Sequence, residues 1–343
     1  MISKIIAEDN IVKAKDLIYD AEKIVIVAHA SPDGDAVGSA LALYHFFFSI
    51  NKETTVVFPD RYPSFFNWLH SIDKSLIYTE QKEKVETLFN DAELIICVDF
   101  NEPKRVGAMK ELLISCTAKK LLIDHHPNPS EGIWTQNISY PEIASSSEIV
   151  FRLICRMGYA SEINKHCAEC IYTGMMTDSG KFTFNSNNTE IYQIIGELIR
   201  KGINNDDIYD KVYNTYTVER MRLMGYLLAN KMRVFPEYKT VLITLTQEEQ
   251  TKFNFQVGDS EGFVNLPLSI HGIVFTAFFK EEANKIKISL RSKGFFNVNK
   301  VSEKYFNGGG HANAAGGESY LSLEETEKLF EQILPEYKDL LNL

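Results

Sequence analysis

His29, Asp33 and Asp35 fall within seven positions in the stretch VAHASPDGDAVGSA, between two apolar runs. Further along, Asp99 closes the run LIICVDF, Asp124, His125 and His126 close KLLIDHH, and Asp178 sits in GMMTDSGKFTF. Carboxylates gathered in one crevice repel one another, and a buried charge is costly unless it is paired or coordinated. Taken as one group, His29, Asp33, Asp35, Asp99, His125 and Asp178 read as ligands of two divalent cations. Oxygen donors with a minority of imidazoles and no thiolate favour Mn2+, with Mg2+ and Co2+ compatible. Two such ions about 3.5–4 Å apart acidify a water and stabilise charge on a phosphoryl group, which is the chemistry of phosphoester hydrolysis.

Each residue also has a plainer reading. Asp33-Gly34-Asp35 suits a turn, as does Asp178 before Ser179-Gly180. His29 suits a strand-end histidine, and Asp99 a helix cap. Their coincidence at three strand ends favours the site.

Four short β-rich runs, at 23–30, 54–60, 94–100 and 120–126, are separated by helix-like stretches such as 36–50 and 73–90. This alternation predicts an α/β fold with a doubly wound parallel sheet. Ligands of such sheets bind beyond the carboxyl ends of the strands, so residues distant in sequence converge there. Gly38 and Ser39 are expected to begin the helix behind the first loop. Asp178 is expected at a Gly-flanked turn, after helices near 145–158 and 162–174. Strands at 238–249, 271–282 and 285–293, a short helix, the glycine-rich connection NGGGHANAAGGES and a C-terminal helix capped by Ser322 make a smaller mixed-sheet α/β domain. The expected division is a metal-binding domain at 1–205, a helical linker at 206–235 and a second domain at 236–343.

The chain has 343 residues, and its 36 basic and 46 acidic residues give a net charge of −10. Such a balance disfavours a binder of long duplexes, because nucleic-acid affinity rests on phosphate neutralisation. A short nucleotide in a locally basic pocket remains compatible. Between 281 and 305 six basic residues (Lys285, Lys287, Arg291, Lys293, Lys300, Lys304) face three acidic ones (Glu281, Glu282, Glu303). Five cysteines in a long chain do not suggest a disulfide framework, and Cys167-x-x-Cys170 after His166 has no second cysteine pair to complete a zinc site. No apolar run of about 18 residues appears and the N-terminus is amphipathic, so a cytoplasmic protein without membrane contact is expected.

The ordered clusters His29-x-x-x-Asp33-Gly34-Asp35 with Gly38-Ser39, Val98-Asp99, Asp124-His125-His126-Pro127 and Thr177-Asp178-Ser179-Gly180 resemble the four motifs of the DHH phosphoesterase superfamily. Gly308-Gly309-Gly310-His311-x-Asn313-Ala314-Ala315-Gly316 resembles the signature of the DHH-associated substrate-binding domain. The two-domain plan is most similar to the NrnA-like branch, bifunctional oligoribonucleases and 3′-phosphoadenosine-5′-phosphate (pAp) phosphatases. The resemblance implies short RNA or DNA oligonucleotides and nucleotide phosphates as substrates. It also implies that His29 and Asp33 hold one cation, Asp35, His125 and Asp178 hold the other, and Asp99 bridges them. Asp124 would orient His125, and His126 would approach the scissile phosphate, which makes Asp99, Asp124 and His126 the catalytic candidates. Arg291, Gly308, Gly309, Gly310, His311 and Asn313 would contact substrate, with Arg105 and Lys181 as weaker candidates for phosphate. One departure is Phe100 after Asp99, where relatives often carry a small hydroxyl residue.

The same ligands would serve a phosphodiesterase of linear or cyclic dinucleotides, although membrane-bound relatives of that kind carry N-terminal spans. A long-strand exonuclease would need a further nucleic-acid domain, and the glycine-rich signature fits a soluble pyrophosphatase less well. A catalytically silent nucleotide sensor could keep the fold, but the intact ligand positions argue against it. A homodimer is compatible with the sequence.

Overall fold

The computed structural model describes residues 4–184 and 186–343. The chain divides into two compact units between Thr215 and Tyr216.

In the first unit the helices α1 (Glu8–Asp20), α2 (Gly34–Ser49), α3 (Lys82–Asp91) and α4 (Lys110–Ser115) alternate with the strands β1 (Lys23–Val27), β2 (Glu53–Phe58), β3 (Leu76–Ile77), β4 (Leu94–Val98), β5 (Lys119–Asp124) and β6 (Gln136–Ser139). The helices α5 (Ser146–Arg156), α6 (Lys165–Asp178), α7 (Thr189–Arg200) and α8 (Asn205–Tyr213) follow. The six strands are all parallel, in the order β3-β2-β1-β4-β5-β6. Their apolar runs are continuous because both faces are covered. Ile24, Ile26, Ile96 and Ile123 face a core shared with α2, α5 and α6, while Val25, Val27, Ile95 and Leu122 face one shared with α3 and α4. Strand order reverses between β1 and β4, and the crevice of a doubly wound sheet opens at such a reversal. The carboxyl ends of β1, β4 and β5 therefore meet where His29, Asp99 and His125 follow.

The structure departs from expectation in three local respects. The helix-like run at 73–90 contains the two-residue strand β3 before α3 begins at Lys82. Helix α2 starts at Gly34 rather than at Gly38, because the Asp33 side chain caps it by accepting from the backbone of Asp35 and Ala36. Asp178 is the last residue of α6 and not part of a free turn.

The second unit comprises α9 (Val218–Tyr226), β7 (Arg233–Phe235), β8 (Thr240–Leu245), α10 (Gln247–Lys252), β9 (Phe275–Glu281), β10 (Ile286–Ser292), α11 (Val298–Tyr305), β11 (Gly309–His311), β12 (Ala314–Ser319), α12 (Leu323–Ile333) and α13 (Lys338–Leu341). Its sheet runs β11-β12-β10-β9-β8-β7 and is mixed: β8 and β9 are parallel and the other pairs antiparallel. The glycine-rich connection is thus largely two strands. Gly308 permits this, since a Cβ there would lie 2.0 Å from the Gly316 carbonyl oxygen, and Gly310 holds φ +147°. Ser322 caps α12 in a reciprocal box with Glu325, worth about 0.5–2 kcal/mol. The segment expected as a linker is shared out: α8 belongs to the first unit, while Leu223 and Leu227 enter the core of the second. Among the described residues no helix is long and apolar enough to cross a membrane. Cys167 and Cys170 are buried in α6, and burial pushes both thiols up.

Candidate metal centre

The loop after β1 supplies the first residues. His29 donates from Nδ1 to the Ala30 carbonyl at 2.9 Å, which turns Nε2 toward Asp99 Oδ2 at 3.4 Å and Asp33 Oδ2 at 3.7 Å. Asp33 spends Oδ1 on capping α2, so its half-exposed side chain presents the other oxygen to His29.

Asp99, one residue past β4, has φ +63°, in the left-handed region that aspartate enters more readily than most residues. That backbone aims its carboxylate between two imidazoles. Oδ2 faces His29, while Oδ1 lies 3.4 Å from His125 Nε2 and accepts from Ser146 Oγ at 2.9 Å.

His125 donates from Nδ1 to the Ile143 carbonyl at 3.2 Å, and its Nε2 lies 3.7 Å from Asp178 Oδ2 and 3.9 Å from Asp35 Oδ2. Both rings are thus pinned through Nδ1 and present Nε2, the arrangement by which metal-binding imidazoles are usually oriented. Asp35 is fully buried and gripped at both oxygens by the first turn of α5, from Ser146 N at 2.6 Å and Ser147 N at 2.9 Å. Close packing makes this reach available. A Cβ on Gly174 would lie 1.9 Å from Ser147 Oγ and 2.7 Å from Asp35 Oδ1, and one on Gly38 would lie 2.5 Å from the Cys170 carbonyl oxygen.

Asp124 does not orient His125 as expected. Its Oδ1 accepts from His126 Nδ1 at 2.8 Å, because side chains alternate along extended backbone and Asp124 and His126 share a side. His126 Nδ1 lies 3.9 Å from Asp99 Oδ1, so the third imidazole borders the same group. Asp124 Oδ2 is buried without a hydrogen-bond partner among the described residues.

The electrostatics mark a site short of positive charge. Burial disfavours the charged form of His29, yet Asp33 and Asp99 outweigh it and raise its pKa to about 10. Burial opposes the charge on His125 too, and Asp178, Asp99 and Asp35 overcome it, raising that pKa well above the usual value. Asp99 resists burial through its two imidazole neighbours and is held well below the carboxylate range. Asp35, buried and facing Asp99 and Asp178, is pushed well above that range, and burial lifts Asp178 to about 6. Imidazoles shifted up by acidic neighbours, and carboxyls shifted up by burial and by one another, are the mark of an excess of negative charge that bound cations would offset. The donor set fits a pair of them: His29, Asp33 and Asp99 form one group and Asp35, Asp99 and His125 another, with donor atoms within 4.8 Å and Asp99 common to both. Asp178 joins the second group through His125.

Ser146, Ser147, Gly174 and the carbonyls of Ala30 and Ile143 escaped the sequence reading. The Ser145-Ser146-Ser147 run is legible in hindsight as a helix start, since Ser145 caps Glu148 N. Phe100 is buried against Trp134 and serves packing. Arg105 gives its carbonyl to Ala30 N at 2.7 Å, and its Nε is buried without an acceptor among the described residues. Lys181 is taken up by Tyr209 and the face of Tyr213.

In the second unit, strand register places Arg291, Ala314 and His311 directly opposite one another across β10, β12 and β11. Gly309 alternates onto the same side of β11 as His311, where a Cβ would meet Asn299 Oδ1 at 3.7 Å, whereas Gly308 and Gly310 serve the approach of the protein's own strands. Asn313 differs from expectation as well. Its amide donates to Ser292 Oγ at 2.9 Å and to the carbonyls of Gly294 and Phe296, so it braces the turn after β10 rather than offering those donors to substrate.

Residues 23–175 match the DHH family, N-terminal domain, and residues 239–341 match the DHHA1 domain. Over 91% of its length the chain is 29% identical to the bifunctional oligoribonuclease and PAP phosphatase NrnA of Thermus thermophilus, covering 88% of that protein. It is 27% identical to the protein of the same name from Bacillus subtilis, covering 93% of it. The crystal structure of an exopolyphosphatase-related protein from Bacteroides fragilis is 52% identical, with a TM-score of 0.93 over 99% of this chain and 100% of that one.

Proposed function

Because the chain belongs to the DHH family, with a DHH N-terminal domain followed by a DHHA1 domain, we propose that it is a metal-dependent phosphoesterase that hydrolyses short oligonucleotides to mononucleotides and pAp to AMP. The observation that carries this reading is Asp99, which turns one oxygen to His29 and the other to His125. A carboxylate so placed suits a bridge between two divalent cations, with His29 and Asp33 on one side and Asp35, His125 and Asp178 on the other. Bound there, Mn2+ or Mg2+ would acidify a water and offset the charge growing on the phosphoryl oxygens.

The remaining work belongs to the chain. Backbone donors of α5 hold Asp35 against rotation, and Ser146 Oγ fixes Asp99. Asp124 sets the tautomer of His126 by accepting a hydrogen bond from Nδ1–H, which makes Nε2 the ring atom to exchange a proton with a leaving oxygen. The side chain of Arg105, whose Nε has no acceptor among the described residues, suits a phosphate oxygen. Arg291 and His311 supply anion-binding groups in the second domain. The relatives named as oligoribonuclease and PAP phosphatase support the substrate class.

The test is turnover of pAp, pApA, inorganic polyphosphate and five-nucleotide RNA and DNA labelled at either end, with and without Mn2+. We expect metal-dependent release of AMP and mononucleotides. Asp99→Asn tolerates the left-handed backbone and should lower the rate by about a thousandfold or more. Full activity in that variant would remove the bridging role, and exclusive turnover of polyphosphate would replace the substrate class.

A further inference from the structure

The residues that lead into α5 support one of the two donor groups and not the other. The Ile143 carbonyl accepts from His125, the Ser146 and Ser147 amides grip Asp35, and Ser146 Oγ donates to the oxygen of Asp99 that faces His125. Asp35, Asp99 and His125 are one complete group of donors. His29 and Asp33 are held elsewhere, by the Ala30 carbonyl and by the first turn of α2. The aim of the second group therefore depends on where α5 begins.

That beginning is tied to a neighbouring helix by three charged side chains. Glu148, the third residue of α5, is 1% exposed and accepts at one oxygen, Oε1, from Arg152 Nε at 2.8 Å and Nη2 at 2.7 Å. The same Nη2 donates to Oε2 of Glu190, in the first turn of α7, at 2.8 Å. Glu148 and Arg152 alone would be an ordinary contact one turn apart on a single helix. Glu190 makes it a link between elements, and it stands twelve positions after Asp178, the remaining ligand candidate of this group.

Stability does not account for such a cluster. Charges taken out of water lose about as much as their attraction returns, and apolar replacement of a buried ionic triad is often neutral or stabilising. Arg152 is 3% exposed, and burial pushes the Glu148 carboxyl up in spite of it. What the planar guanidinium supplies is direction, because its donors are fixed in one fork.

We infer that Arg152, acting through Glu148 and Glu190, is a positioning residue for the second cation, so that its loss weakens that cation and spares the one at His29 and Asp33. The inference rests on the two-cation centre of the phosphoesterase reading and adds an unequal dependence of the two ions on the junction of α5 with α7.

The variant Glu148→Gln/Arg152→Met/Glu190→Gln removes the three charges together. Mn2+ binding is read from the electron paramagnetic resonance signal of the free ion, and folding from chemical denaturation. The wild type should bind two Mn2+. In the variant one should bind within about twofold of wild type and the other about tenfold or more weakly, with the unfolding midpoint unchanged or raised. Asp178→Asn should weaken the same Mn2+ and Asp33→Asn the other, so that adding Asp33→Asn to the triple variant weakens both. Arg152→Lys keeps the charge without the fork and should give an intermediate loss at the second Mn2+. It decides the matter alone should the triple variant fail to fold. Equal weakening of both ions, a loss confined to the ion that Asp33→Asn affects, or no loss in a wild type that binds two would overturn the inference alone. A wild type that binds fewer than two Mn2+ refutes the two-cation reading itself, and the inference with it.

Discussion

At the scale of single residues, the acid–base state of the centre makes a prediction of its own. His29, at about 10, and His125, raised well above its ordinary value, are imidazolium at neutral pH in the metal-free protein. A ligating imidazole must be neutral, so metal and proton compete for the same Nε2 atoms. Binding of Mn2+ at pH 7 should therefore release protons, and the affinity should climb as pH rises toward the His29 pKa. Calorimetry in two buffers of different ionisation enthalpy measures the release directly; a heat independent of buffer would refute it. The six ligand candidates were legible in the sequence because carboxylates and imidazoles at strand ends are conspicuous. Their supports were not. The amides that grip Asp35 belong to serines 111 and 112 positions away, and nothing in a serine announces such a contact. The pairing of Asp124 with His126 was readable from the two-residue period of an extended chain.

Elements set how tightly those residues can gather. Helices α2 and α6 approach at Gly34, Gly38 and Gly174, where a Cβ would strike Thr177, the Cys170 carbonyl and Ser147. Gly174→Ala should cost about 1–3 kcal/mol in chemical denaturation and displace Asp35, lowering metal affinity with it. Gly196, inside α7 with open space around it, is the opposite case. Gly196→Ala should stabilise by about 0.5–1 kcal/mol and leave metal affinity unchanged. A neutral outcome at Gly174 would mean that the two helices can part without consequence. Continuous apolar runs explain why the long strands of the first sheet were visible in advance. Strand β3 is only Leu76 and Ile77, too short for any period, and β11 and β12 are built from glycine and alanine, which carry no strand signal.

For the molecule as a whole, the two units have separate cores. Phe46 and Phe47 anchor the first, while Phe275, Phe279 and Phe330 anchor the second. Every candidate ligand lies before Thr215, so Mn2+ can stabilise only the first unit directly. Calorimetric unfolding should show two transitions, of which one moves upward with Mn2+ as the logarithm of its concentration. A single transition, or two that move together, would show the units to be energetically fused. Within the first unit, the grip of α5 on Asp35 has a consequence for what mutation can reach. The donors are main-chain amides, and a substitution at positions 146 and 147 that is small enough for their packed, buried sites leaves them in place. Asp99, by contrast, depends on a hydroxyl that one base change can delete. The aim of one ligand is thus sheltered from sequence drift by the backbone itself, and that of the other lies open to it. Proline alone breaches the shelter, since the first turn of a helix accepts it while the N–H is lost.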